Sequence, residues 1–422
     1  IIEENIKNAA LDRKIKLERV NDKEGVFTIP NYYCELGITN RILTLAISNF
    51  QDISVDVDHL ILQFEKKNNI TFAESQKDAI ISAFQNGIEI ITGGPGTGKT
   101  TIIKCIIEIF ETCGLKVLLG APTGRAAKRM SESTGKEATT IHRMLDMGVF
   151  EKEESVFVTN AEEHSLEADV VIIDEASMID ITLMNALLKS IKVGTRLIIV
   201  GDVDQLPSVG AGNVLNDFIE SGFTKVVRLK EIFRQGKESM IVVNAHKINK
   251  GEMPKLNEKG TDFFFIRNDI QEGILNTIID LINTRLPKFN SNWDKLKSIQ
   301  VLVPMKKGVL GVTNLNERIQ NVLNPKAPYK KEKEFRSMVF REGDKVMQIK
   351  NNYSLKWTRI AGKGEHEGLG VFNGDMGFIE SIDLEGKKLS IIFDDERRVI
   401  YDFMYLDELD LAYAITIHKS QG

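Results

Sequence analysis

Eight consecutive residues, Gly93, Gly94, Pro95, Gly96, Thr97, Gly98, Lys99 and Thr100, have the types and spacing to hold a triphosphate. They fit G-x-x-x-x-G-K-[ST] without a gap. Glycines let successive backbone N–H groups curl around phosphate oxygens. Lys99 reaches the β- and γ-phosphates, and the Thr100 hydroxyl is a ligand for Mg²⁺, with Thr101 in the same site. Farther along stand Asp174 and Glu175. Asp174 can hold Mg²⁺ through water, and Glu175 can polarise an attacking water. Gln205 is expected to face the γ-phosphate or that water, and Arg234 to supply charge for the terminal phosphate. Gln76, at the start of the helix ahead of the loop, can read an adenine edge, although a helix-start glutamine is more often only solvated. This set is that of a nucleoside triphosphate hydrolase.

Such residues need a scaffold, and the pattern around them supplies one. Ile88, Ile90 and Ile91 read as a buried parallel strand running into the glycine loop. TIIKCIIEIFETCG then has helical length and stops at Gly114, a suitable C′ residue. Residues 115–123 form a second buried strand ending in a polar turn. GRAAKRM begins a helix with Arg125, Lys128 and Arg129, and EATTIHRMLDMG a short one with His142 and Arg143. Residues 148–160 alternate apolar and charged around a polar centre, a hairpin signal. ADVVIIDEASMID puts both carboxylates at the carboxyl edge of a strand, where open α/β sheets bind ligands. RLIIVGDVDQLPSVGAGNVL repeats that logic, and KVVRLKEIFRQ adds another strand. The alternation across residues 88–229 specifies an α/β parallel sheet covered on both faces.

A second α/β unit is expected from TDFFFI (strand), a helix over 270–286, SIQVLVPMKKG (strand and loop) and GVTNLNERIQNVL (helix). It has no phosphate loop of its own. From about Phe340, short strands broken by Gly-Asp, Asn-Gly and Glu-Gly turns read as a small β-barrel. LDLAYAITIHKSQG then returns to a buried strand. Residues 1–70 have helical periodicity and show no chemistry.

The 422 residues exceed one core, so two to four domains are expected. A net charge of −5 argues against a protein that coats nucleic acid by bulk charge, and leaves room for a narrow basic channel. Lys326, Lys330, Lys331, Lys333, Arg336, Lys345, Lys350, Lys356 and Arg359 surround Tyr353 and Trp357; alone, such a cluster is equally a solvated surface. Cys34, Cys105 and Cys113 are scattered, which speaks against disulfides or zinc and for a reducing cytoplasm. No apolar run has membrane-span length, so no membrane partner is expected. The chain opens on Ile1 without Met, and the expectation is a piece of something longer.

Ten blocks in order, GGPGTGKTT, GAPTGRAAKRM, ATTIHRML, VVIIDEASMID, VGDVDQLPSVGAGNVL, EIFRQ, VLVPMKKGVLG, GDKVMQIKNNY, VFNGDMG and AYAITIHKSQG, resemble the RecD-type branch of superfamily 1B DNA helicases. The resemblance covers roughly residues 70–422, and DQLPSVGAGNVL separates it from the Upf-like RNA helicases. It implies two RecA-like P-loop NTPase domains with a small hairpin insertion and an SH3-like β-barrel insertion. The implied layout is a helical lead-in at 1–68 and a first RecA-like domain at 69–232, with a strand-separating pin at about 146–167. A second RecA-like domain follows at 233–340 plus 405–422, with the barrel at 341–404. ATP and Mg²⁺ are the implied cofactors. The implied activity is translocation 5′ to 3′ on single-stranded DNA and unwinding at single-strand/duplex junctions, in repair or recombination.

Carried over residue by residue, Gln76 reads adenine; Lys99 and Thr100 hold phosphate and Mg²⁺; Asp174 and Glu175 are metal carboxylate and general base. Gln205 couples hydrolysis to DNA, and Arg234 is the first arginine near the γ-phosphate. Pro122, Thr123, Arg125 and His142 fall in the family's DNA-contacting blocks of the first domain, and Met305, Thr416, His418 and Ser420 in those of the second. Two departures stand out. YSLKWTRIAGKGEHEGLG is longer than the family's simplest version. The later block with a second arginine is not in this sequence, so weak hydrolysis is expected, since such an arginine is worth orders of magnitude in rate. The competing readings are an ATP- and DNA-binding subunit of a recombination nuclease complex, and a phage or conjugative superfamily 1B helicase. A P-loop kinase or GTPase fits poorly, since there is no N-K-x-D guanine reader.

Overall fold

Six parallel strands build the sheet that carries the phosphate loop. The computed structural model describes residues 2–20, 22–48, 50, 53, 55–145, 165–231, 239–361 and 366–421. They fall into two units, Ile1–Pro122 with Ala126–Phe264, and Thr123–Arg125 with Phe265–Gly422. Arg234 and the expected hairpin at 148–160 lie outside the described residues.

The first unit opens with α1 (Ile2–Leu11), β1 (Ile15–Val20), β2 (Lys23–Thr28), α2 (Ile29–Ile47), α3 (Val57–Asn68) and α4 (Glu74–Gln85). β3 (Ile88–Gly93), α5 (Lys99–Thr112), β4 (Val117–Ala121), α6 (Gly124–Thr134), β5 (Ala138–Thr140) and α7 (Ile141–Met144) follow. Then come β6 (Val170–Ile173), α8 (Ile181–Ser190), β7 (Arg196–Gly201), α9 (Val214–Ser221), β8 (Lys225–Leu229) and α10 (Met240–Asn249). The sheet order is β5-β4-β6-β7-β3-β8, every pair parallel. β6 and β7 are buried at every position, as strands covered on both faces must be. α5 buries seven residues, from Ile102 to Phe110, against the sheet and α4. Gly114, at φ +75°, ends it as the sequence predicts.

Two local expectations change. The lead-in is not purely helical: β1 and β2 form an antiparallel hairpin with Val20 opposite Lys23. Its apolar alternation (Ile15, Leu17; Val26) is short and half exposed, too weak to stand out from helical periodicity. TDFFFI is not a strand, and Phe264, Phe265 and Ile266 are exposed. Asp262 instead accepts hydrogen bonds from the Ser239 hydroxyl (2.6 Å) and the Ile241 N–H (3.1 Å), tying this stretch to the start of α10.

One buried group works against stability. Glu89, the second residue of β3, is fully buried; Ser82 donates to Oε1, and Oε2 has no hydrogen-bond partner. Burial pushes its carboxyl from 4.5 up to about 8. Above pH 4.5 the unfolded chain releases this proton while the folded chain keeps it to about pH 8, so stability falls across that window. Glu89→Gln is expected to remove this fall and to stabilise the chain by on the order of a few kcal/mol at pH 8, with no gain at pH 4. Thermal unfolding across this pH range measures it; an equal gain at both ends contradicts it.

The second unit contains α11 (Gln271–Asp280), a π-turn (Leu281–Arg285), α12 (Leu286–Phe289), β9 (Val301–Val303) and α13 (Val312–Leu323). β10 (Glu332–Phe335) and β11 (Met338–Arg341) pair as a hairpin. β12 (Lys345–Gln348), β13 (Asn352–Arg359), β14 (Glu367–Val371), β15 (Met376–Asp383), β16 (Lys388–Phe393), β17 (Arg397–Asp402) and β18 (Leu409–Leu411) follow. β19 (Ala414–Thr416) and α14 (Ile417–Ser420) close the unit. β12 to β18 make one antiparallel sheet in the order β14-β13-β17-β16-β15-β12-β18. Register shifts in β13 and β15 curl it into a half-barrel. The returning strand is split: β18 joins the half-barrel, and β19 pairs in parallel with β9. Asp344 fastens the pieces, accepting from Gln320 (2.6 Å), Asn324 (2.7 Å) and the Tyr413 hydroxyl (2.8 Å).

Candidate active site

The loop between β3 and α5 takes its shape from two glycines in left-handed backbone, Gly96 (φ +75°) and Gly98 (φ +82°), a region that side chains disfavour. The Thr97 hydroxyl donates to the Gly94 carbonyl (2.8 Å) and closes the loop. Lys99 Nζ donates to the carbonyls of Gly93 (2.5 Å) and Gly94 (3.2 Å), so the ammonium lies along the loop. The free N–H groups at the start of α5 add positive potential beside it. Gln76 is buried: its Oε1 accepts from the Ala73 N–H (3.0 Å), and its Nε2 donates to the Thr97 carbonyl (2.9 Å). It therefore fastens α4 to the loop, and reading adenine requires exchange of one of these bonds.

Asp174 and Glu175 follow β6 directly. Asp174 Oδ1 accepts from the Glu175 N–H (2.8 Å), while its own N–H donates to the Gly120 carbonyl (3.0 Å). Glu175 has left-handed backbone (φ +54°, ψ +40°), which for a residue with a Cβ costs on the order of 1 kcal/mol. Burial raises the Asp174 carboxyl, opposed by the Glu175 N–H and the charges of Lys99 and Arg129. Burial, then the neighbouring Asp174, raises Glu175, again opposed by Lys99 and Arg129. Carboxylates held above their ordinary range suit proton abstraction near neutrality. Asp202, buried just past β7, adds to the rise of Glu175.

Gln205 folds back on Asp202: its N–H donates to the Asp202 carbonyl (3.1 Å), and its Nε2 lies 3.4 Å from Asp202 Oδ2. Val203 N–H reaches Thr92 Oγ1 (3.2 Å), joining the turn after β7 to the end of β3. The downstream glycines have a packing role. A Cβ on Gly210 would lie 2.1 Å from Asp180 Oδ2, and the Ala211 carbonyl accepts from the Ile181 N–H (3.0 Å). That block thus wraps the start of α8.

Lys99, Asp174, Glu175 and Gln205 all stand at the carboxyl edge of one sheet. Thr100 is exposed on the first turn of α5. Among the described residues, no cluster of three His, Cys, Asp or Glu side chains could cage a metal. Mg²⁺ does not need one: it keeps waters and substrate phosphates and takes one or two protein ligands. Thr100 and the desolvated Asp174 fit that role.

The other candidates gather at two strand edges. Pro122 follows β4 and His142 follows β5, neighbours that pair Ala121 with Thr140; Thr123 and Arg125 continue from β4. In the second unit β9 leads to Met305, 53% exposed, and β19 leads to Thr416, His418 and Ser420. The Thr416 hydroxyl caps α14, accepting from the Lys419 N–H (3.3 Å). A cavity of about 290 Å³ beside them is lined by Lys306, Thr416 and Lys419, with Glu317 and Asp410 opposite in charge; Lys99, Asp174, Glu175 and Gln205 do not line it. Two residues escape sequence reasoning. Arg129 acts electrostatically on Asp174 and Glu175, but nothing in GRAAKRM says which of its cations faces the sheet edge. His246, on α10, lies against Gly94 of the phosphate loop.

Two family profiles match in chain order: the AAA domain over residues 76–211, and the ATP-dependent RecD-like DNA helicase SH3 domain over 315–393. The chain is 33% identical over 357 residues to the ATP-dependent RecD2 DNA helicase of Deinococcus radiodurans, covering 85% of this chain and 44% of that protein. It is 28% identical to the RecBCD enzyme subunit RecD of Mycolicibacterium smegmatis, covering 83% of this chain and 64% of that protein. The chain thus spans about half the length of these relatives. Bacteroides Pif1 bound to ssDNA, a solved structure, aligns at 18% identity with a TM-score of 0.44 over 84% of each chain. With a nucleotide-binding sheet followed by a match to the RecD-like DNA helicase SH3 domain, the chain is similar to the RecD-like DNA helicases.

Proposed function

We propose that this chain is the motor portion of an ATP-dependent DNA helicase that moves 5′ to 3′ on single-stranded DNA and opens duplex at junctions. The observation that carries the reading is the shared sheet edge, where the Lys99 charge acts on both Asp174 and Glu175. ATP lies along the loop, with its phosphates on the α5 N-terminus and Lys99. Thr100 and Asp174 would hold Mg²⁺, which would supply charge neutralisation at the phosphates. Glu175 takes the proton of the attacking water, and Gln205 orients that water. Arg234 is assigned to the terminal phosphate on its sequence position alone. Pro122, Thr123, Arg125, His142, Met305, Thr416, His418 and Ser420 are the proposed strand contacts, and contacts to backbone and base faces would leave sequence unread.

Relatives named as RecBCD subunits favour a second reading, an ATP- and DNA-binding subunit of a recombination nuclease. Among the described residues no helix is long and apolar enough to cross a membrane. A cytoplasmic location is proposed on the DNA substrate alone. Strand release from tailed duplexes tests the proposal. Release from a 5′-tailed duplex and none from a 3′-tailed one is expected, and the opposite preference overturns the direction. Release only after another subunit is added selects the second reading.

A further inference from the structure

We propose that His246 is a sensor of the terminal phosphate, its Nε2 hydrogen-bonding a γ-phosphate oxygen when ATP is bound. This rests on the reading of residues 93–100 as the phosphate loop. His246 is distant from that loop in sequence, yet its ring lies on Gly94. A Cβ built on Gly94 would stand 2.7 Å from His246 Cε1 and 3.3 Å from Nε2, so the ring uses the space that glycine leaves. Among the described residues, Nε2 is buried without a hydrogen-bond partner. A buried polar nitrogen left unpaired is costly, and native proteins seldom keep one without use.

The location narrows what the partner is. The Gly94 carbonyl also accepts from Lys99 Nζ (3.2 Å), and in this loop type that lysine reaches the β- and γ-phosphates. The imidazole therefore stands at the outer end of the phosphate row, away from ribose and base. Protonated on Nε2, it donates to an anionic oxygen, which a neutral ring does without changing charge.

The helix that carries it is anchored. Asn244, fully buried, accepts from the Lys255 N–H and donates to the Lys255 carbonyl, both at 2.7 Å. Ser239 caps the helix start and is itself held by Asp262. A fixed helix gives the ring little freedom to leave Gly94, so gain of the γ-phosphate is felt by α10 directly.

The test is binding of fluorescent ATP and ADP analogues to the intact chain, with His246→Ala, His246→Gln and Lys99→Ala. His246→Ala is expected to weaken the ATP analogue by about tenfold or more and the ADP analogue by less than about twofold. His246→Gln, which keeps a side-chain N–H donor, recovers part of the loss. Equal loss for both analogues means that His246 only supports the loop, and no loss means that it touches no phosphate; either overturns the proposal. Lys99→Ala weakens both analogues if residues 93–100 are the phosphate loop. If it weakens neither, that reading fails, whatever His246 does.

Discussion

Glu175→Gln is expected to leave ATP binding within a few-fold of the parent and to lower kcat by about 10²–10⁴-fold. The amide keeps the shape of the side chain, so the left-handed turn and the Asp174 contact survive. What it loses is the ability to take a proton. Because burial and Asp174 hold the Glu175 carboxyl above the ordinary range, its ionised fraction falls earlier than usual as pH drops. The acid limb of kcat/KM in the parent should therefore lie above the usual carboxylate range, and should vanish from the residual activity of Glu175→Gln. Steady-state ATP turnover against pH measures both. A variant with parental kcat would remove Glu175 from the chemistry.

Lys99→Ala acts one step earlier. Its ammonium is the only cation seen bonded to the loop carbonyls among the described residues, and it also lowers both carboxylates. Removing it takes a charge-assisted contact from the phosphates and leaves Asp174 and Glu175 more protonated. Turnover is expected to fall by about 10²–10³-fold or more, with ATP affinity falling as well, unlike Glu175→Gln. Titration of a fluorescent nucleotide beside the turnover assay separates the two variants. Parental affinity and turnover in Lys99→Ala would refute the loop assignment.

How legible was this in the sequence? Motifs that fix backbone geometry were. The loop from Gly93 to Thr100 needs glycine at 96 and 98, and the structure has positive φ at both. The apolar runs ending in Asp174 and Gly201 are buried parallel strands, because only a doubly covered sheet accommodates them. Short elements with mixed exposure were not: TDFFFI is as apolar as a strand, but one aspartate at position 262 binds it to a helix start instead. Contacts between residues far apart in sequence were hidden for a different reason. Gln76 on Thr97, Arg129 near the carboxylates and His246 on Gly94 depend on packing of elements that no local pattern specifies.

We propose that ATP hydrolysis at this sheet edge is coupled to DNA. It is tested most directly by ATP turnover of this chain with Mg²⁺, with and without single-stranded DNA, beside Glu175→Gln as the background. DNA is expected to raise kcat well above the DNA-free rate in the parent and to leave Glu175→Gln at background. Turnover in the parent that is the same with and without DNA would mean that hydrolysis is not coupled to DNA.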